Sequence, residues 1–188
     1  MSTRRVIFPP TDYWTQSKEN TMTDNYADTP TAADARRASA ITIHHRRGNT
    51  EGLLTIAHEA NENHRTTELV LAILDLHRNP LTELRTPNGI DLIGRHVQEL
   101  ADHSGLVDEP TAADVGRAAS LLDSHGRNDT NGINQAMQSA CNAGRSTQLL
   151  LGLLDLYEHL MPELSSAAGL DWLNRCTTTF AIEEVQDQ

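Results

Sequence analysis

The sequence predicts an all-α protein built from two copies of one helical unit, and three observations support this fold class. The apolar run at 69–76 recurs at 149–156. Both runs are apolar around most of a helix circumference, as is typical of helices buried at the centre of a bundle. No stretch combines alternating apolar residues with hairpin turn signals, so strand pairs are not expected.

The repeat extends well beyond these runs. A shift of 80 positions aligns the chain on itself without a gap from Thr31 to Arg95, with about a third of the positions identical. We therefore predict a tandem duplication of a four-helix unit, with about eight helices in all. The predicted organisation is a flexible arm (1–30), a first unit (31–105), a linker (106–110) and a second unit (111–188).

The first helix of each unit has a start signal. Thr31 and Thr111 are each followed three residues later by an aspartate, Asp34 or Asp114. A threonine N-cap satisfies free amides of the first turn, and the acid favours the positive end of the helix. We therefore expect the two helices to begin at these threonines.

The other helices follow from further paired signals. The second helices are expected to start near threonines and the third at a threonine or serine, prolines end the third, and a glycine marks the start of the fourth. The corresponding positions are Thr50 and Thr130, Thr66 and Ser146, Pro80 and Pro162, and Gly89 and Gly169. Two arrangements of the units are open. They form a short helical-repeat array, or they pack face to face about a pseudo-two-fold axis with their third helices meeting, which the long repeat favours.

Composition excludes several classes of protein. The net charge of -11 and an aromatic content of 4% disfavour nucleic-acid binding. No apolar run is long enough for a membrane span, and the N-terminal residues lack a secretory signal, so a cytoplasmic location is expected. Cys141 and Cys176 are interpreted as small buried residues. Lys18 is the one lysine against 14 arginines, which suggests a GC-rich bacterial gene.

The third helices carry the candidate site. Asp75 and Asp155 each interrupt an apolar helix, one turn after a small residue, Ala72 or Gly152. A carboxylate in such a place needs a partner or water. Either the aspartates pair with arginines that recur in the repeat or simply face water, or the two stripes line a shared cleft for a ligand or partner. The candidate residues are Asp75, Asp155, Arg65, Arg145, Arg37 and Arg117.

The histidines do not form a convincing metal pattern. His58 with Glu62 and Glu99 with His103 have i,i+4 spacing, but the first pair is replaced by Gln138 and Asn142 in the second unit. Solvated pairs are expected there, with no metal and no cofactor. His45 and His125, at equivalent repeat positions, are expected to be packed residues with a hydrogen-bonded ring nitrogen.

The functional prediction is a non-catalytic, cytoplasmic protein-interaction or scaffold module. The sequence has no nucleophile elbow, phosphate loop or dinucleotide fingerprint, so no catalytic residue is assigned. The alternative is a small-ligand-binding regulator with a cleft near Asp75 and Asp155. A metal-dependent hydrolase is the least favoured class. The expected partner is a protein of unknown identity, with a homodimer as an open alternative.

Overall fold

The chain is helical throughout the part that the structure describes. A computed structural model describes residues 29–78, 80, 88–89, 91, 94–95, 99 and 109–186, without the side chains of 109–112. Within these residues there is no strand, so the all-α prediction is confirmed. The helices are α1 (Ala32–Arg46), α2 (Thr50–Glu62), α3 (Thr66–Arg78), α4 (Glu109–Gly126), α5 (Thr130–Asn142), α6 (Ser146–Leu160) and α7 (Ala167–Gln186).

Helix α1 begins as predicted. Thr31 is its N-cap, and its side chain accepts a hydrogen bond from the Asp34 amide. The Asp34 carboxylate in turn accepts one from the Thr31 amide at 2.9 Å. The two residues thus form a capping box. The prediction fails for α4, because that helix already includes Glu109 and Pro110 and so contains Thr111 instead of starting at it.

Helices α2 and α5 start and end at equivalent repeat positions. Asn49 caps α2 by accepting from the Gly52 amide at 3.0 Å, and Asp129 caps α5 by accepting from the Gly132 amide at 3.1 Å. After each helix the chain takes a left-handed conformation, at His64 and at Gly144. The same signals therefore delimit the second helix of both units.

Helices α3 and α6 form the centre of the core. Their apolar side chains are almost wholly enclosed, which confirms the prediction of two buried central helices. The fully enclosed apolar residues include Leu69, Val70, Ile73, Leu74, Leu149, Leu150, Leu153 and Leu154. Gly152, predicted to admit a close neighbour, packs against α4, where an added Cβ would lie 3.4 Å from the Ala118 Cβ.

The last helix crosses to the first unit. A 3-10 turn, Pro162–Ser165, leads into α7, and α7 packs along α1. The Arg36 Nε donates to the Glu184 carboxylate at 2.7 Å, and the Thr177 hydroxyl donates to the Ser39 hydroxyl at 2.9 Å. The last helix of the second unit therefore packs on the first helix of the first unit.

Other sequence predictions have mixed outcomes. Cys141 is exposed and Cys176 is half-buried, so the buried interpretation fails for Cys141. Burial raises the pKa of the Cys176 thiol to about 11, which keeps it protonated. The predicted arm and most of the fourth helix of the first unit lie outside the described residues. No helix in the described ranges is long and apolar enough to cross a membrane.

Candidate functional site

Two histidine–aspartate pairs join the units. His45 on α1 places its Nε2 2.8 Å from the Asp155 carboxylate on α6. His125 on α4 places its Nε2 3.1 Å from the Asp75 carboxylate on α3. The two histidines are 80 positions apart in the sequence, and so are the two aspartates. Each unit therefore supplies a histidine to the aspartate of the other.

A ring stack lies between the same helices. The rings of His77 on α3 and Tyr157 on α6 are 4.0 Å apart between centroids and 9° from parallel. These residues, too, are 80 positions apart in the sequence. The stack and the two histidine–aspartate pairs thus all join positions of the sequence repeat.

Burial keeps both stacked rings uncharged. It lowers the pKa of His77 to about 3, although the Ile73 carbonyl, 2.8 Å from its Nδ1, partly opposes this effect. Burial also raises the pKa of the Tyr157 hydroxyl well above its usual value. Among the described residues, neither the His77 Nε2 nor the Tyr157 hydroxyl has a hydrogen-bond partner. The stack is therefore a neutral, enclosed contact.

Arg46 fixes the end of α6 from the other unit. Its guanidinium donates to the Tyr157 carbonyl at 2.8 Å and to the Met161 carbonyl at 3.2 Å. A cation is favourable at the C-terminus of a helix, where carbonyls lack intrahelical partners. Because Gly126 takes this position in the second unit, the contact has no counterpart there.

The predicted arginines lie within the units and not beside Asp75 and Asp155. Arg65 donates to Asp34 at 2.5 Å, and Arg37 donates to Glu59 at 2.7 Å. In the second unit, Arg117 donates to Asp114 at 2.8 Å, and Arg145 also binds that carboxylate. The predicted arginine–aspartate pairing is therefore wrong, because histidines of the opposite unit take both aspartates.

The Asp34 and Asp114 clusters hold the first and third helices together. Burial raises the pKa of Asp34, but hydrogen bonds from Arg65 and Thr31 outweigh burial and leave the pKa below its usual value. Asp34 is fully enclosed, so its charge depends on these donors. Four of the six candidate residues thus have structural partners. Arg37 bonds to Glu59 of α2, Arg65 and Arg145 bond to the aspartate of the first helix of their own unit, and Arg117 bonds to Asp114 of its own helix and to Ser139 of α5.

A third acid lies beside one of the interunit pairs. The Glu158 carboxylate is 3.6 Å from the Nδ1 of His45, and it follows Asp155 by three positions on α6. One nitrogen of His45 and one oxygen of each acid lie within 4.8 Å of one another. Sequence spacing could not reveal this group, because His45 and the acids are more than 100 residues apart.

The pairs that spacing did suggest behave as expected where they are described. His58 and Glu62 lie 3.1 Å apart on the surface of α2, and both side chains are mostly in solvent. His103 of the other pair lies outside the described residues. His45 and His125 have the hydrogen-bonded ring nitrogen that was predicted for them.

A polar groove lies elsewhere, between the second unit and Asp91, Gly94 and Arg95 of the first. It has a volume of about 1100 Å³, runs between α4 and α5, and includes Arg117 but neither Asp75 nor Asp155. On its wall, the Arg127 guanidinium is bonded to Asp123 at 3.0 Å and to Asp91 at 2.8 Å. The groove therefore does not correspond to the predicted cleft.

Comparisons with known proteins found no match for the chain. No protein-family model matches the chain, and neither a curated protein nor a solved structure matches it. The fold and the contacts between the units are consequently the basis for any functional proposal.

Proposed function

We propose that the chain is a non-catalytic helical interaction module that arose by tandem duplication of a four-helix unit. The single observation that carries the proposal is the reciprocal pairing of His45 with Asp155 and of His125 with Asp75. Such exchange between equivalent positions is expected when a former homodimer has been fused into one chain.

The same contacts argue against catalysis at the junction. His45 and His125, which could act as bases, are each bonded to an aspartate of the opposite unit. His77 and Tyr157, which could move protons, are enclosed and held neutral. An active site normally leaves such groups open to a substrate. The junction therefore supports a rigid body whose function lies on its outer surface.

The outer surface offers two apolar faces for a binding test. Ile182 and Val185, 56% and 73% exposed, lie one turn apart on α7. Leu54 on α2 is 47% exposed. A protein that buries apolar area on this module is expected to contact one of these faces, and substitutions on the other face then serve as the control.

The experiment begins with cross-linking of the full chain in extract of its source cells. Each captured protein is then purified and its direct binding measured by calorimetry. The double variant Ile182→Asp with Val185→Asp, or the variant Leu54→Asp, should raise the Kd at least about tenfold, whereas the other variant leaves it unchanged. A second copy of the chain counts as the partner if the same variant abolishes self-association in sedimentation.

The proposal is wrong if no purified protein binds directly, or if neither variant affects binding.

One observation favours a second candidate, a small-ligand-binding regulator with a site near Asp155. The Asp155 side chain is 63% exposed and stands beside Glu158 and the enclosed ring of His45. A metabolite that raises the Tm of the wild type but not of Asp155→Asn, in the absence of any protein binder, would establish the regulator instead.

A further inference from the structure

The cluster of His45, Asp155 and Glu158 has the chemistry of a divalent-cation site. It combines one imidazole nitrogen with two carboxylate oxygens, all within 4.8 Å of one another. The two acids lie on the same face of α6 because they are three positions apart. The histidine comes from α1, so the three donors converge from both units.

The burial of the three side chains also suits a cation. His45 is held in place with its side chain only 11% exposed, whereas Asp155 and Glu158 are 63% and 43% exposed. The enclosed imidazole provides an anchor beside two partly exposed acids. The buried Nδ1 atoms of His45 and of His125 both lack a hydrogen-bond partner among the described residues, so the second acid, and not the imidazole, distinguishes this cluster.

The equivalent position in the other half lacks one of the three metal-binding side chains. His125 and Asp75 repeat the pair, but Arg78 stands at the repeat position of Glu158. A guanidinium cannot coordinate a cation and adds a positive charge of its own. The duplication thus provides an internal comparison, in which one copy has three donors and the other has two donors and a cation.

We propose that His45, Asp155 and Glu158 bind one divalent first-row transition ion, which clamps α1 of the first unit to α6 of the second. Imidazole with carboxylates suits Zn²⁺ and its neighbours, whereas Mg²⁺ and Ca²⁺ favour sites made of oxygen alone. Arg46 lies close enough for its charge to act on Glu158. That charge offsets part of the negative field, so the affinity is lower than that of a four-ligand structural zinc site.

The test is calorimetric titration of ZnCl₂ into the full chain after EDTA treatment, at pH 7.5. The wild type should bind one Zn²⁺ at this site, and His45→Asn, Asp155→Asn and Glu158→Gln should each lower the affinity at least about tenfold. Glu158→Arg, which copies the second half, should abolish binding. The control His58→Asn removes a surface histidine from the His58–Glu62 pair and should leave the affinity unchanged.

A second readout separates binding from folding. Zn²⁺ that binds only the folded chain should raise the Tm of the wild type and of His58→Asn, but not that of Glu158→Arg. Glu158 is a suitable position because its carboxylate caps no helix and lies on the surface. Co²⁺ should give visible absorption bands with the wild type that are lost in Glu158→Arg. Zinc binding that survives Glu158→Arg, or is lost in His58→Asn, would overturn the proposal, as would the absence of zinc binding in the wild type.

Discussion

His77 shows how a single buried side chain can make stability depend on pH. Its ring is fully enclosed, stacks on Tyr157, and directs its Nδ1 to the Ile73 carbonyl. Positive charge on Arg46 and on His45 also disfavours a protonated His77 ring. The folded chain therefore holds this imidazole in its neutral form at pH values where an exposed histidine is protonated.

We predict that the chain loses stability as the pH falls below the pKa of an exposed histidine. The pKa of His77 is about 3 in the folded chain, against 6.5 for an exposed histidine, which represents the unfolded chain. Between these values the unfolded chain binds the proton and the folded chain does not. The contribution of His77 is therefore complete above pH 6.5 and decreases by about 1.4 kcal/mol for each unit below it.

The measurement is the free energy of unfolding in urea between pH 7 and pH 4.5, with EDTA present. His77→Phe keeps a flat ring against Tyr157 but cannot bind a proton, so its stability should fall less steeply with decreasing pH. The other titrating groups are the same in both chains and cancel in the comparison. Equal slopes for the wild type and the variant would show that His77 is not held neutral.

Residue identities predicted the positions of the important side chains better than their partners. The repeat singled out Asp75, Asp155, His45 and His125, and all four lie at the junction of the units. The sequence could not match aspartate to histidine. That choice depends on how two units pack, whereas helical periodicity describes only which residues share a face of one helix.

At the scale of the helix, the start of α7 depends on the absence of a side chain at Gly169. A Cβ there would lie 2.4 Å from the Leu164 Cα and 2.6 Å from the Glu163 carbonyl oxygen. Both atoms belong to the backbone of the 3-10 turn, which cannot move aside as a side chain can. The recurrence of glycine at positions 89 and 169 indicated the start of a helix, and this contact supplies the reason for it in the second unit.

We predict that Gly169→Ala destabilises the chain by about 1–3 kcal/mol, because α7 must shift away from the turn. Gly116→Ala is the matched control. Gly116 lies inside α4, and a Cβ there would have nothing within 4 Å. Alanine is the better helix former, so this change should stabilise the chain by about 0.5–1 kcal/mol. Urea unfolding of the two variants gives both values, and destabilisation by Gly116→Ala or tolerance of Gly169→Ala would contradict the packing.

The bounds of the helices were largely predictable because they depend on local chemistry. Caps and breakers within a few residues set the ends of α2 and α5, and the predicted starts at Thr50 and Thr130 are correct. The start of α4 was missed because Pro110 was interpreted as a boundary. A proline is tolerated in the first turn of a helix, where its missing amide has no intrahelical partner to lose.

For the whole molecule, the position of α7 determines how the halves depend on each other. This helix follows the second unit in sequence but packs on α1, through contacts that include Arg36 with Glu184 and Ser39 with Thr177. Sequence patterns predicted a last helix but not which helix it would cover. Because several helices of the chain offer apolar faces, the choice between them is made only in the assembled structure.

We predict that the halves unfold in one transition. Leu74 and Leu154 occupy equivalent enclosed positions, one in each unit, and each change to alanine should cost roughly 2–5 kcal/mol. Once Trp14 is replaced by phenylalanine, Trp172 reports by fluorescence on α7, the helix that follows the second unit in sequence and packs on the first. If α7 joins the halves energetically, Leu74→Ala should lower the midpoint of the Trp172 signal about as much as Leu154→Ala does. In both variants, that midpoint should coincide with the midpoint from circular dichroism.

Leu54→Ala, on the surface of α2, is the control and should cost less than about 0.5 kcal/mol. A Trp172 transition that Leu74→Ala leaves in place would mean that the units fold independently, since a cavity in one domain does not destabilise another that folds on its own.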